Sequence, residues 1–423
     1  MDKNTITGFL LIGAILFGFA WLNKPSETEL AQQKNFQDSI NALAPVTVNS
    51  VTNTTTTNET PAIDTIQSDT LSAEQQASNQ FGAFAPSVNG QEKLYVLENN
   101  LIKATISSKG GQIVSVELKN YKTSEDKEGN KHPLVLFDSK KDSSSLGFTI
   151  ITNNNRIVNT ADLYFEAVGV NAVNKVSSGE KSFTFRLKTN EQAYIDYIYT
   201  LKADDYMVGY SIKANQMEKV MPMSVNTLQM QWHSKIKQQE RSKKFESRYA
   251  AIHYKFIGED MDNLSESKDD SEELTTKVKW IAFKDQFFSS ILIADEAFNS
   301  GKISSKINED KSSNYLKTYK ADMHVPFDLT GKNATSFRFY FGPNKYKTLN
   351  DYDKGLDDDK ELNLQKLVPL GWGIFGWINK KTCRIEIDSG NGGSHSTPGG
   401  KTVGLPAPPT SLPQDEAFKS TVL

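Results

Sequence analysis

Short apolar runs in which every second residue is hydrophobic recur between residues 91 and 345, and this pattern restricts the possible folds most strongly. Residues Ile102 to Ile106, Val114 to Leu118 and Phe183 to Leu187 all alternate in this way. Successive side chains of a strand point to opposite faces, so the pattern predicts strands with one buried face and one solvent-exposed face. Turn-forming residues separate the runs. We therefore predict a mainly β chain whose residues 91–345 form one large antiparallel sandwich.

Two further patterns lie inside this predicted domain. Tyr194, Tyr197 and Tyr199 follow the strand alternation closely, so we expect them to pack on a strand face, with a ligand cleft as the second interpretation. Met261 to Thr276 is rich in Asp and Glu, which predicts an exposed acidic loop.

Residues suited to metal binding or catalysis are sparse and scattered. No two of the histidines have the i,i+4 spacing of a helical metal site; they are His132, His233, His253, His324 and His395. Cys383 is the single cysteine, which excludes an internal disulfide or a cysteine-built zinc site. No phosphate loop or nucleophile elbow occurs. We therefore expect no metal, no cofactor and no enzymatic activity.

The charge of the chain also limits which kinds of partner it is expected to bind. The 423 residues include 48 basic and 51 acidic side chains, well mixed along the chain, for a formal net charge of −3. Such a chain lacks the basic stripe that tracks a phosphate backbone. Nucleic acid is therefore not an expected partner.

An uncharged apolar segment runs from Ile6 to Leu22. As a helix with a rise of about 1.5 Å per residue it is just long enough to anchor a chain in a bilayer. We predict that residues 1–23 are a transmembrane signal-anchor with a cytoplasmic N-terminus; a signal peptide cleaved near Gly18-Phe19-Ala20 is the alternative. The predicted anchor residues are Phe9, Leu10, Ile15, Phe17 and Trp21.

Residues 24–90 are rich in Asn, Thr, Ser and Gln, which predicts a flexible polar linker. After the β domain, residues 346–381 are predicted to hold a second linker and an amphipathic interfacial helix. Its apolar and aromatic part, Leu362 to Ile378, is interrupted by Lys366, Pro369 and glycines, so it is too broken to span a bilayer comfortably. A helix packed on the β domain is the alternative. The residues expected at headgroup depth are Leu367, Trp372, Phe375 and Trp377.

These segments together resemble the YidC-type bacterial membrane protein insertases, in their Bacteroidetes form. The similarity rests on the anchor and, in order, on Leu97 to Thr123, Trp280 to Leu292, Phe339 to Lys345 and Leu364 to Lys380. The resemblance implies an inner-membrane protein whose bulk lies in the periplasm as a β-supersandwich similar to that of sugar mutarotases. It also implies the lipid bilayer, Sec translocon subunits and nascent membrane proteins as partners.

The resemblance stops near Lys381. The family continues with membrane helices that hold a hydrophilic groove, whereas residues 382–423 are rich in Gly, Pro, Ser and Thr. We expect these residues to form a disordered, atypical tail in place of the insertase membrane domain. The expected function is insertion, folding and assembly of integral membrane proteins, alone or with the translocon, with only the anchor and periplasmic domain present here. A sugar-binding or a structural envelope protein is the alternative.

Overall fold

The computed structural model describes residues 73–126, 128–189 and 192–369. Strands dominate these ranges. In chain order they are β1 (Leu94–Glu98), β2 (Ile102–Ser107), β3 (Ile113–Lys122), β4 (Pro133–Asp138), β5 (Ser145–Ile151), β6 (Ile157–Asn159), β7 (Glu166–Val168), β8 (Val173–Lys175), β9 (Glu180–Lys188), β10 (Tyr194–Lys202), β11 (Met207–Asn215), β12 (Thr227–Lys237), β13 (Ala251–Phe256), β14 (Met261–Asn263), β15 (Asp270–Leu274), β16 (Val278–Lys284), β17 (Phe288–Phe298), β18 (Ser300–Ile307), β19 (Tyr315–Pro326) and β20 (Thr335–Pro343).

The helices of the described ranges are short. The α-helices are α1 (Ala73–Phe81), α2 (Ser139–Asp142), α3 (Lys243–Ser247) and α4 (Tyr346–Asn350). The 3₁₀ turns span Gly82–Ser87, Thr160–Asp162, Met217–Lys219, Asp351–Asp353, Asp358–Lys360 and Leu364–Leu367. They connect or flank the strands.

The strands form three sheets. Their orders are β4-β3-β2-β1-β8, β14-β13-β16-β17-β20-β11-β10-β9-β7 and β15-β18-β19-β12-β5-β6. Every strand pair of the described ranges is antiparallel except β1 with β8. The prediction of a mainly β, antiparallel domain is confirmed.

The alternation in the sequence matches the faces of the strands. In β2, Ile102, Ala104 and Ile106 are buried, while the residues between them are partly exposed. The connection to β3 uses Gly110 at φ +80° and Gly111 at φ +59°. Glycine adopts such left-handed backbone without a steric penalty. At Gly111 a side chain would also collide with the ring of Phe165, 2.8 Å from an added Cβ.

The register shows how the sheets are layered. Residues paired directly across antiparallel strands point to the same face of a sheet. On the nine-stranded sheet, Phe283, Phe339 and Phe341 share one face. Phe283 stacks on Trp232 of the six-stranded sheet, with ring centroids 3.7 Å apart, and Phe341 meets Phe137 of the five-stranded sheet at 6.0 Å. The two smaller sheets therefore cover the same face of the large one.

The predicted tyrosine cluster is part of this core. Tyr197 and Tyr199 are at most 2% exposed, and Tyr199 stacks on Tyr210 of the neighbouring strand at 4.9 Å between centroids. Tyr194, at the start of the same strand, stays partly exposed and lies under the guanidinium of Arg186. The first interpretation, packing on a strand face, is confirmed for the two buried tyrosines.

The folded core extends past both predicted boundaries. Phe84 is fully buried before residue 91, inside the segment predicted as a linker. After residue 345, four leucines of the segment predicted as a second linker and an interfacial helix are buried in the same core: Leu349, Leu362, Leu364 and Leu367. The predicted acidic loop was also wrong in part, because β14 and β15 form within it. Its side chains are largely exposed, as expected.

Candidate functional site

Most residues predicted to touch the membrane lie outside the described ranges. This holds for the anchor residues Phe9, Leu10, Ile15, Phe17 and Trp21, and for the interfacial residues Trp372, Phe375 and Trp377. Their roles stay predictions. Within residues 73–369 that the structure describes, no helix has the length and apolar character needed to cross a bilayer.

Leu367 is the predicted interfacial residue that the structure describes, and it is placed differently from the prediction. Its side chain is 1% exposed and packs in the hydrophobic core. A side chain that the domain covers does not face a lipid surface. The apolar run of this segment therefore divides: its first part, through Leu367, belongs to the domain.

The described chain ends in a segment that we call the strap, residues 346–369. It lies on the face of the nine-stranded sheet opposite the two smaller sheets, because Trp280 and Tyr340 point to that face and both contact it. The indole Nε1 of Trp280 donates to the carbonyl of Leu362 at 2.8 Å, and the ring of Tyr340 meets that of Tyr352 edge-on at 5.8 Å.

A carboxylate fixes the middle of the strap. The 92%-buried Asp353 accepts the backbone N–H of Leu362 at 2.6 Å and that of Asn363 at 2.8 Å, one with each oxygen. The chain can return to Asp353 because Gly355 and Asn363 adopt left-handed backbone, at φ +79° and +58°. Two charge-assisted hydrogen bonds of this kind are stronger than neutral ones. The strap is thereby closed into a loop that its own aspartate holds.

Two further contacts tie the strap to the sheet. The hydroxyl of Tyr352 donates to Asp205 at 2.7 Å, and burial together with the Asp205 charge raises the pKa of this tyrosine. Near the end, Lys366 forms an exposed ion pair with Asp260 in the β13–β14 connection, which lowers the pKa of Asp260. These two contacts thus tie the strap to the rest of the domain near its start and near its end.

The four histidines of the described ranges do not converge on one site. His132 pairs with Asp126 at 3.0 Å on the surface, lowering the pKa of that carboxyl to about 2. His233 and His324 lie on neighbouring strands of the six-stranded sheet, but His324 pairs with Gln229, four positions from His233. Four positions along a strand are about 13 Å. Within the described ranges no group of three or more ligand side chains could hold a metal ion.

His253 differs from the other described histidines because it is buried. It is 6% exposed on β13, and neither ring nitrogen has a hydrogen-bond partner among the described residues. Burial, aided by the charge of Lys284, lowers its pKa to about 3, so it is neutral at physiological pH. His395 lies outside the described ranges.

One constellation escaped the sequence analysis. Glu246, in α3, is fully buried, and Asp285, in the β16–β17 turn, is 7% exposed. Their carboxyl groups lie close enough to interact, and burial raises the pKa of both. No sequence pattern predicts that these two residues meet, because each looks like an ordinary acidic residue between two strands.

A surface depression of about 340 Å³ lies beside the β18–β19 hairpin. Lys235, Lys306, Asn308 and Tyr315 are among its lining residues. The amide of Asn308 is already used by Ser313 and by the carbonyl of Tyr315, at 2.8 and 3.1 Å. No histidine lies in it. The arrangement predicted by the sugar-binding alternative, histidines and a carboxylate in one aromatic-lined cleft, is therefore not formed here.

Fold and strap define a mainly β domain of three largely antiparallel sheets, with the strap covering one face of the nine-stranded sheet. The sequence model of the YidC periplasmic domain matches residues 94–381. This chain belongs to that family.

Curated relatives agree with this assignment. A protein named membrane protein insertase YidC from Parabacteroides distasonis is 42% identical over 380 residues, which are 90% of this chain and 58% of that protein. A protein of the same name from Bacteroides fragilis is 40% identical over 387 residues, or 90% and 57% of the two chains. The chain thus spans somewhat more than half the length of these relatives.

The comparison with solved structures gives matches of low identity and low TM-score. A galactose mutarotase-related enzyme from Lactobacillus acidophilus matches with a TM-score of 0.34 and 13% identity, covering 59% of this chain and 97% of that one. A putative aldose 1-epimerase from Escherichia coli matches with a TM-score of 0.36 and 10% identity, covering 60% and 100%. Similarity at this level carries no conclusion about ligand or activity.

Proposed function

We propose that this chain is the anchor and periplasmic part of a membrane protein insertase, which assists insertion, folding and assembly of integral membrane proteins. The anchor of residues 1–23 crosses the inner membrane with its N-terminus in the cytoplasm. The described sheets form a β-supersandwich of the mutarotase type in the periplasm. The chain acts on nascent membrane proteins, alone or with Sec translocon subunits, and not as an enzyme.

The strap is the observation that carries this proposal. It is held by the core leucines, by Asp353 and by Trp280 up to residue 369, and the aromatic run with Trp372, Phe375 and Trp377 follows directly. Aromatic side chains of this kind favour the headgroup region of a bilayer. An interfacial segment that begins at a rigid point orients the domain relative to the membrane. A segment on a loose tether would not.

A complementation experiment tests the proposal. In a bacterium depleted of its own insertase, the full-length gene is supplied with Trp372, Phe375 and Trp377 all replaced by Ser. We expect a several-fold smaller inserted fraction of a newly made single-span membrane protein, measured by protease protection. The matched control replaces three exposed apolar residues of the sheets by Ser: Ile157, Val173 and Met223, which are 74%, 55% and 72% exposed.

The controls separate the alternatives. Equal insertion by the two triple variants would reject the interfacial role. Depletion that leaves insertion of small membrane proteins unchanged, but disturbs assembly of the cell surface, would replace the insertase assignment with that of a structural envelope protein.

A further inference from the structure

Residues 238–250 form a connection between β12 and β13 that we call the clasp, because its residues bond to all three sheets. Gln239 bonds through its carbonyl to the N–H of Ser124 and through its amide to the carbonyl of Val135, both at 2.9 Å, on the side of the five-stranded sheet. Lys243 donates to two carbonyls of the β18–β19 turn in the six-stranded sheet, at 2.7 and 2.8 Å. Lys284 of the nine-stranded sheet donates to the carbonyl of Tyr249 at 2.7 Å.

The centre of the clasp is a pair of carboxyl groups. Glu246 accepts the backbone N–H of Gln239 at 2.9 Å and that of Glu240 at 3.1 Å, so it draws the start of the clasp onto α3. Its carboxyl group also meets that of Asp285, which accepts the N–H of Gln286 at 2.7 Å. Two ionised carboxylates side by side in a dry site repel each other strongly, and a shared proton removes that repulsion.

Two buried lysines bond to carbonyls of the clasp and not to either carboxyl group. Lys284 donates to the carbonyl of Tyr249 at 2.7 Å and only weakly favours ionisation of Asp285, and Lys317 donates to the carbonyl of Ala250 at 2.6 Å. Burial lowers the pKa of both lysines. Glu240, half-buried on the clasp itself, adds a further acidic group, and burial with the Asp285 charge raises its pKa. Tyr319 faces the site from the six-stranded sheet as a neutral phenol, with its hydroxyl donating to the carbonyl of Lys284.

We propose that Glu246 and Asp285 share one proton, and that this proton keeps the clasp closed, so that its loss at alkaline pH opens residues 238–250 while the sheets stay folded. Repulsion between the two carboxylates then expels Glu246 from its amide donors. The bonds that this glutamate organises are released together. The inference concerns a link inside the domain and is independent of the proposed function.

Trypsin digestion can detect opening of the clasp, because the clasp contains cleavage sites after Arg241, Lys243, Lys244 and Arg248. The full chain is digested briefly between pH 7 and pH 9.5, and cleavage within the clasp is divided by cleavage of a synthetic peptide of residues 238–250 under the same conditions. We expect this ratio to rise at least tenfold with pH in the wild type. Rates of cleavage within the sheets should stay flat.

Matched variants distinguish an effect of the Glu246–Asp285 pair from a general loosening of the protein at alkaline pH. Asp285→Asn and Glu246→Gln each leave one carboxyl group without the repulsion of a second, so a folded variant should show a clearly smaller rise. Glu125→Gln removes an exposed carboxylate that pairs with Arg241 of the clasp, and it should keep the wild-type profile. A flat profile in the wild type, or an equal rise in the amide variants, would overturn the proposal.

An infrared measurement decides the matter even if neither amide variant folds. At pH 8 the folded wild type should show the absorption of a protonated carboxyl group, because exposed carboxyls are ionised there. Absence of that band would also overturn the shared proton.

Discussion

The strap and the clasp are both short segments that cross the sheets, and each is fixed by a carboxyl side chain that accepts two backbone N–H groups. Asp353 holds the strap in this way, and Glu246 holds the clasp. The strap adds buried leucines, whereas the clasp adds a second carboxyl group, Asp285. The same local bond pattern thus serves two kinds of link: one stabilised mainly by apolar burial, the other dependent on a proton.

The largest expected effect tests the apolar part of the strap. Leu364 is fully buried, so Leu364→Ala should lower the free energy of unfolding by about 2–5 kcal/mol through lost burial and a cavity. Urea unfolding of the full chain, followed by tryptophan fluorescence, measures this. Leu356→Ala is the matched control, because Leu356 is 40% exposed, and it should cost less than about 1 kcal/mol. Equal costs would show that the strap is not part of the core.

The second prediction concerns the aspartate of the strap. Asp353→Ala leaves the N–H groups of Leu362 and Asn363 without acceptors, which should cost about 2–3 kcal/mol. Asp353→Asn keeps one acceptor oxygen and should cost less. The same unfolding experiment compares the two. If Asp353→Ala matches the wild type, leucine burial alone holds the strap.

The third prediction gives the sign of the pH effect at the clasp. Burial raises the pKa of both carboxyl groups, and the Asp285 charge reinforces the rise at Glu246. The folded state therefore binds protons more tightly than the unfolded state. The resulting stability is present below about pH 4 and is lost as the pH rises through the folded-state pKa values.

Unfolding measured at pH 5 and pH 8 checks this sign. Relative to Asp285→Asn, the wild type should lose on the order of 2 kcal/mol between these values, since one pKa unit corresponds to about 1.4 kcal/mol. A wild type that gains stability over this interval would contradict the assignment of a shared proton.

The smallest effect is expected at the ion pair that ends the strap. Lys366 and Asp260 are both exposed, and water and salt screen such pairs. Lys366→Ala should leave the urea midpoint unchanged within error. A clear loss of stability would mean that the strap depends on its last contact, and that the leucines before it contribute less than proposed.

Much of the fold could be predicted from local pattern. The strands of the first hairpin and their buried faces follow from alternation, and the turn between them follows from Gly110-Gly111. The strands of the acidic segment before β16 were harder to predict from the sequence. Its strands β14 and β15 contain exposed charges at most positions, and they form because neighbouring strands offer free edges. Propensity cannot reveal that kind of pairing.

The site was predictable only in part. An apolar run after the β domain is visible in the sequence, and its aromatic end remains a membrane prediction. Its division at Leu367 is not visible, because a buried leucine and a lipid-facing leucine look alike in a sequence. Strap residues are recognised through partners such as Trp280, which lies 82 positions from Leu362.

The sequence by itself determined the β class, the hydrophobic faces, the family resemblance and the absence of a recognisable catalytic motif, because each depends on residues close together in the chain. Only the tertiary structure decided that the strap belongs to the domain and that Glu246 meets Asp285. The physical reason is that burial, and with it the pKa of a carboxyl group, depends on which distant segments exclude water from it.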